Sequence, residues 1–338
     1  MKTLKHWSLT HCDDSRITLS VENQHRLTVH VLEQGLFRVS IQRGGNWALN
    51  RTWSIAPDRD VPWEGRSRDD ISGFTLPGYT LTERDDVLEI ATERLRVTVH
   101  QPLWLEWHYR DASGPWLFLA SDRPTSAYLL NAHGDGVAHY QRRFKEDRYY
   151  GLGEKAGPLA RNGNRYELRN LDAMGYNAAS TDPLYKHIPF TITRRDEVSF
   201  GLFYDNLSSS WFDLGNELDN YHAPYRRWQA ESGDIDYYLF VGDRVLDVTK
   251  TFVRLTGKTL FGPRWSLGYS GSTMHYTDAP DAQNQLMNFI RLCQEHAIPC
   301  DSFQLSSGYT SINGKRYVFN WNSDEVPQPK VMSQAFHD

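Results

Sequence analysis

The sequence predicts a mainly β protein: a large antiparallel β-sandwich followed by the first βα units of an incomplete (β/α)8 barrel. Three observations predict it. Apolar and polar residues alternate with period two in segment after segment up to about residue 240, the mark of half-buried strands. Near residue 243 the period switches to that of amphipathic helices. The aromatic load is high, with 11 Trp, 18 Tyr and 15 Phe in 338 residues, which suits β-rich cores.

The elements follow in order. Ile17, Leu19 and Val21 alternate with polar neighbours, as do Leu27, Val29 and Val31, then Phe37, Val39 and Ile41. Leu95, Val97 and Val99 repeat the pattern, and so do Val198, Phe200, Leu202 and Tyr204. Turn residues separate the runs: Arg43-Gly44-Gly45-Asn46, Asp111-Ala112-Ser113-Gly114-Pro115 and Arg161-Asn162-Gly163-Asn164. Many strands with such punctuation and almost no helix read as a sandwich. Two long loops, about 50–75 and 170–186, are where ligand contacts are expected.

Beyond them, Asp243 is placed to cap a helix whose face is Val245, Leu246, Thr249, Phe252 and Val253, with Gly257 as its stop. After Pro263, the stretch Trp265–Tyr269 reads as a strand. A second helix starts near Asp278, with Pro280 in its first turn and a stripe of Leu286, Phe289, Ile290, Cys293 and Ala297. Pro299 ends it, Cys300–Leu305 reads as another strand, and one more helix begins near Val331. Strand–helix–strand is the unit of a parallel sheet or barrel. A barrel needs eight units and typically ~250 residues. Residues 263–338 suffice for about two units at ~30 residues each. A pair of units alone would leave a strand edge and a helix face uncovered. The expected organisation is a sandwich over 1–242, a connecting helix and linker over 243–262, and a truncated barrel start over 263–338. The rest of the barrel is the partner this implies.

Composition narrows the function. Hydrophobic residues make up 39% and charged ones 23%, as in globular proteins. The 37 basic side chains are scattered among 42 acidic ones for a net charge of −5, which argues against nucleic acid as a partner. No apolar run reaches the ~18 residues of a membrane span, so no membrane is expected. Residues 1–7 lack the apolar core of a secretory signal. Three cysteines, Cys12, Cys293 and Cys300, form no C-x-x-C pair, and a cytoplasmic location is the simplest expectation.

Local motifs exclude more than they assign. Gly151-Leu152-Gly153-Glu154-Lys155-Ala156 has the spacing of a dinucleotide loop, but Gly157-Pro158 and a turn-rich segment follow, leaving no helix start for a pyrophosphate. It reads as a tight turn in a β domain. No H-E-x-x-H, Cys/His pair or Asp-rich calcium loop occurs, so no metal and no cofactor are expected. His133 and His139 read as ordinary surface or core histidines. The pairs Asp13-Asp14, Asp69-Asp70 and Asp85-Asp86 would point to opposite faces of a strand and read as solvated turn charges.

Five segments, in order, resemble glycoside hydrolase family 31, the α-glucosidase and α-xylosidase family. They are Tyr150-Gly151-Leu152-Gly153-Glu154; Asn170-Leu171-Asp172 with Tyr185-Lys186-His187-Ile188-Pro189-Phe190; Pro263-Arg264-Trp265-Ser266-Leu267-Gly268-Tyr269; Ile298-Pro299-Cys300-Asp301; and Phe319-Asn320-Trp321-Asn322. The resemblance runs from about residue 150 to the end. It implies a galactose-mutarotase-like sandwich before a barrel, and retaining hydrolysis of terminal α-linked sugars by two carboxyl groups about 5–5.5 Å apart. In the family both are aspartates of later barrel strands, so no catalytic residue is assigned in this chain, and the chain alone is expected to be inactive. An α-linked oligosaccharide or glycoside is the implied ligand, and a homo-oligomer stays open.

Substrate binding is what the resemblance leaves to this chain. Asp172 occupies the position of the sandwich-loop aspartate that the family offers to the sugar, where a carboxylate accepts charge-assisted hydroxyl bonds. At strand 2 the family's D-I-D-Y is replaced by Ser306-Ser307-Gly308-Tyr309. Tyr309 keeps the aromatic, and Ser306 offers a neutral, shorter hydroxyl. That departure puts plain terminal α-glucose specificity in question. A non-catalytic carbohydrate-binding protein and a sugar mutarotase are the alternatives; the latter needs a His and Glu pair in the concave sheet.

Overall fold

The alternating segments become strands of an eight-stranded antiparallel sheet. Its order is Arg148–Gly153, His187–Arg195, Val198–Tyr204, Ile235–Gly242, Leu36–Gln42, His25–Glu33, Arg16–Val21 and Trp7–Cys12. The computed structural model describes residues 1–57, 60–111 and 114–338. It divides into two units, Met1–Lys258 and Thr259–Asp338. The turn expected at Asp111–Pro115 falls partly on residues 112 and 113, outside the described residues.

In the first unit the opposing layer has two parts. A five-stranded sheet runs Leu117–Ser121, Trp104–Tyr109, Leu95–His100, Val87–Ala91 and Thr80–Arg84. A six-stranded sheet runs Lys2–Thr3, Tyr128–Leu130, Val137–Arg142, Tyr225–Ala230, Ser210–Asp213 and Arg165–Leu168. An isolated bridge between Asp122 and Gln141 links them. Ile17, Leu19, Val21, Leu27, Val29, Val31, Phe37, Val39 and Ile41 all enter the core between the layers, as their spacing predicts. Each such side chain contributes about 1.5–3 kcal/mol by leaving water. The aromatic load is spent here: Trp107, Trp228, Tyr128, Tyr204 and Tyr237 are fully buried.

The eight-stranded sheet is buried on its other face too, which the sequence reading did not anticipate. The residues between the inward-facing ones, Leu32, Leu36, Phe203, Tyr238 and Phe240, join a second core with Ile55. Helix α1 (Val245–Thr256) covers part of this face. Its buried residues are Val248 and Leu255, and Phe252 stacks on Phe190 with ring centroids 4.0 Å apart. The expected face was wrong: Val245, Leu246 and Val253 are exposed. A helix with apolar residues on several sides does not reveal which side meets the sheet. The expected cap was also one residue off. Arg244 holds that position and its amide donates to Asp247 Oδ2 at 3.2 Å, while Asp243 pairs with Arg94 at 2.6 Å.

The long loop around 50–75 packs Ile55, Ile71 and Phe74 against this face. Arg38 Nε and Nη2 each donate to Asp236 at 2.7 Å, and Arg68, brought in by the loop, donates to both Asp205 and Asp236 at 2.8 and 2.6 Å. All four side chains are buried. Burial pushes the Asp236 carboxyl up, but the two guanidinium groups outweigh it and hold it below the ordinary carboxylate value. Asp205, with less positive charge to itself, is held above that value by burial.

In the second unit the strands are shorter than expected. Residues Arg264–Leu267 form a 3-10 turn, and only Ser270–Gly271 pair, in parallel, with Ser302–Phe303. The parallel pairing agrees with a βαβ start; its length does not match Trp265–Tyr269 or Cys300–Leu305. Ladder bonds are cooperative with their neighbours, and a ladder of two strands has none beyond its own pair. Pro280 lies between two helices, α2 (Met274–Thr277) and α3 (Ala282–Glu295), rather than inside one. Leu286 and Cys293 are buried as the stripe predicts, but Ala297 lies past the helix end with φ of 51°. Helix α4 (Pro329–His337) closes the unit, with Met332, Leu286, Ala282 and Val326 forming its small core.

Candidate substrate-binding elements

The glycine motif builds the floor under the second long loop. Residues Arg148–Gly153 form an edge strand where a tight turn was expected, and the next element is another strand, Arg165–Leu168, so no helix start follows the glycines. Gly153 has φ of 79°, and a Cβ there would overlap the carbonyl oxygen of Lys186. Only glycine fits both constraints. The close approach lets the Glu154 amide donate to that same carbonyl at 2.9 Å. Lys155 then turns inward. Its ammonium donates to Asp182 Oδ1 at 2.7 Å and to the carbonyl of Glu167.

Above this floor the loop from Arg169 to Lys186 is exposed. Asp172 lies on it, open to solvent, and its Oδ1 accepts a hydrogen bond from the Tyr185 hydroxyl at 2.8 Å. That bond to a carboxylate raises the Tyr185 pKa, so the phenol stays protonated and keeps donating. The same loop exposes Met174 and Tyr176, 82% and 55% accessible. A carboxylate held by one oxygen, with apolar and aromatic neighbours, can accept hydroxyl donors while a flat ring face lies on the aromatics. Tyr185 was quoted in the motif but given no role; a hydroxyl thirteen residues away in a loop carries no periodic signal.

The other two predicted residues lie in the second unit. Ser306 starts, and Tyr309 sits within, the 3-10 turn Ser307–Thr310. Tyr309 lines a recess of about 640 Å³ with Leu305, Ser307, Tyr317, Phe319 and Trp321. Its ring lies 5.0 Å from that of Trp321 at a tilt of 53°. Ser307, rather than Ser306, is the serine at that recess. Asn322 ties the turn to the aromatic strip: its amide donates to the Tyr309 carbonyl at 2.7 Å and its side chain to the Ser311 carbonyl at 2.6 Å. Gly308 is buried against the Thr277 carbonyl and Asp278, with no room for a Cβ. The second acid of the D-I-D-Y pattern would fall there.

His139, read from the sequence as an ordinary surface or core histidine, is a core one and the centre of a polar cluster inside the sandwich. Its Nε2 lies 2.8 Å from Asp122 Oδ1 and its Nδ1 2.8 Å from the Tyr204 hydroxyl. Both His139 and Asp122 are wholly buried, so this pair cannot reach a sugar for ring opening.

A double-layered sandwich followed by a parallel strand pair and its helix, carrying these motifs in order, is the scaffold of a glycoside hydrolase. Residues 26–213 match the glycosyl hydrolase 31 N-terminal galactose mutarotase-like domain, and residues 259–338 match the glycosyl hydrolases family 31 TIM-barrel domain. The chain belongs to glycoside hydrolase family 31. It is similar to Alpha-glucosidase 2 of Bacillus thermoamyloliquefaciens, 34% identical over 196 residues covering 58% of this chain and 23% of that protein. Neutral alpha-glucosidase AB of Sus scrofa is 31% identical over 206 residues, covering 55% of this chain and 21% of that protein. Among solved structures, a family 31 dextranase of Flavobacterium johnsoniae complexed with isomaltotriose superposes with a TM-score of 0.76 at 25% identity, over 99% of this chain and 37% of that one. The matches therefore span about a quarter of the length of these curated relatives.

Proposed function

We propose that this chain is part of a retaining α-glycosidase of the α-glucosidase kind, acting on terminal α-linked sugars. Within it the chain supplies substrate-binding groups, and the catalytic carboxyl pair comes from other strands of the barrel. The observation that carries this reading is Asp172: an exposed carboxylate, held by Tyr185, on a loop anchored by the family's glycine motif. Tyr309 offers an aromatic wall, and Ser306 a neutral hydroxyl in place of an acid. The ligand is an α-linked oligosaccharide or glycoside, and the exposed thiol of Cys12 fits a reducing, cytoplasmic setting.

The test compares this chain with a protein that carries it together with a complete barrel, against aryl α-glucosides and α-xylosides. Hydrolysis by the longer protein alone, with retained anomeric configuration by NMR, is expected. Equal turnover by the 338-residue chain would overturn the assignment of catalysis elsewhere, and inversion would overturn the mechanism. Ser306→Asp in the longer protein should shift the preference among α-glucosides and α-xylosides; an unchanged profile would remove Ser306 from the substrate site.

A further inference from the structure

Lys155 is an unusual place for a positive charge. Its side chain is fully buried, yet it is not part of the ion network beneath the other loop. Burying an ammonium is unfavourable unless every proton finds a partner. Here the partners share a location. The ammonium donates to Asp182 Oδ1 at 2.7 Å and to the Glu167 carbonyl, and the Glu167 amide donates to Asp182 Oδ2 at 2.6 Å. Glu167 is in the last strand before the exposed loop, and Asp182 is on the returning arm. One lysine and one carboxylate thus close the base of the loop that displays Asp172. The Tyr166 ring, 5.8 Å from the ammonium, walls the junction on one side.

Elsewhere on the loop Arg169 pairs with Glu167 and Glu231, and Ala173 is buried. Its tip turns on its own bonds, from the Asn177 amide to Thr181 Oγ1 at 2.7 Å and from the Ala179 amide to Asn177 Oδ1 at 2.9 Å. From tip to floor there is a Gly157 amide bond to the Ala178 carbonyl at 3.3 Å. Most of residues 169–182 are exposed, so apolar burial cannot fix their path. Ordering must come from the base.

We infer that Lys155 is a positioning residue for substrate binding, acting through Asp182 and Glu167 to hold the loop so that Asp172 and Tyr185 meet the sugar in one arrangement. This deepens, and rests on, the reading that Asp172 binds substrate. Lys155 touches no substrate itself. Its loss should leave the carboxylate in place chemically but spread over many positions, which weakens binding without altering the reacting groups.

The test uses Lys155→Met, which keeps the stem and removes the charge, and Lys155→Arg, which keeps the charge. On the 338-residue chain, hydrogen exchange of amides 169–182 in Lys155→Met should quicken about tenfold, with the strand amides 198–204 unchanged. Lys155→Arg should restore part of the protection. In the longer glycosidase, Lys155→Met should raise KM about tenfold with kcat within about twofold, and should add little to the KM of Asp172→Ala. Exchange unchanged in 169–182, or KM effects of Lys155→Met and Asp172→Ala that simply multiply, would overturn the inference. If Lys155→Met does not fold, Asp182→Asn, which weakens the same junction from the exposed side, must give the same exchange and KM pattern, and failure to do so overturns it. A wild-type protein without hydrolysis would instead overturn the proposed function, and the exchange data would still decide the clamp.

Discussion

Two long loops connect strands of the sandwich, one leaving the eight-stranded sheet and one leaving the six-stranded sheet, and they place their charges in opposite ways. The loop over residues 46–76 lays Ile55 and Arg68 onto a sheet face that would otherwise be wet. Its described residues form part of a second core and a buried ion network. The loop over 169–186 keeps Leu171, Met174, Tyr176 and Tyr185 exposed, and carries a carboxylate with one oxygen engaged. The first loop is the longer of the two, and they differ further in where the charge goes. In the first, charge is neutralised in the interior by opposite charge. In the second, charge is buried only at the base, through Lys155, and is left open at the tip. Two long loops of one sandwich thus place their polar groups differently, paired inward in one and presented outward in the other.

Substitutions can break this contrast. The largest effect is expected at Arg68. Arg68→Met leaves Asp205 buried without its cation and should cost about 3–5 kcal/mol of stability in denaturant titration. Sugar affinity of the folded fraction should stay unchanged; a stability loss under about 1 kcal/mol would show that the loop is not held by its ions.

Next comes Asp234, whose Oδ2 accepts from the Ala48 amide at 2.8 Å where the same loop begins. Burial pushes its carboxyl from the usual 3.8 up to about 6, against the pull of that amide. A raised carboxyl pKa favours the folded state fully below the unfolded value, and that contribution is lost as pH rises through about 6. Asp234→Asn should therefore stabilise the protein by about 2–3 kcal/mol at neutral pH and by little near the unfolded value. Melting curves across that window check it; a gain equal at both ends would contradict the titration.

Asp172→Ala reverses the pattern. It should shift stability by less than about 0.5 kcal/mol, as exposed substitutions do, and weaken substrate binding by about 1.5–3 kcal/mol in the longer protein. An unchanged KM over several α-glycosides would remove Asp172 from the site. The smallest effect is expected at Tyr185→Phe, which deletes one bond to the carboxylate. KM should rise by the equivalent of about 0.5–1.5 kcal/mol, and the rise should vanish in the Asp172→Ala background.

Much of this was legible beforehand, and the rest was hidden for identifiable reasons. Strands such as 16–21 and 36–42 declare themselves because one face meets a core and the other does not have to. Yet Arg38 and Asp236, polar residues in strands, are buried. Asp236 pairs with Arg38 and Arg68 across 198 and 168 residues, and no local pattern announces ion pairs across such gaps. The face of α1 failed for a similar reason: Val248 and Leu255 were chosen by the sheet, not by the helix. In the second unit, Trp265–Tyr269 has strand chemistry, but a strand is made by its neighbours, and only Ser270–Gly271 finds one. Asp172 and Tyr309 could be named because motifs mark them. The contacts of Tyr185 with Asp172 and of Lys155 with Asp182 bridge thirteen and twenty-seven residues, which no local pattern marks.

Gly308 bears on ancestry as well as geometry. An acid at position 306 is a matter of exchanging one exposed or half-exposed side chain for another. An acid at 308 is not, because the backbone of Thr277 and the side chain of Asp278 already fill the space its first carbon would need. A lineage that moved from two acids to none in this turn would have closed a door behind itself. Reopening it takes coordinated change in two segments thirty residues apart.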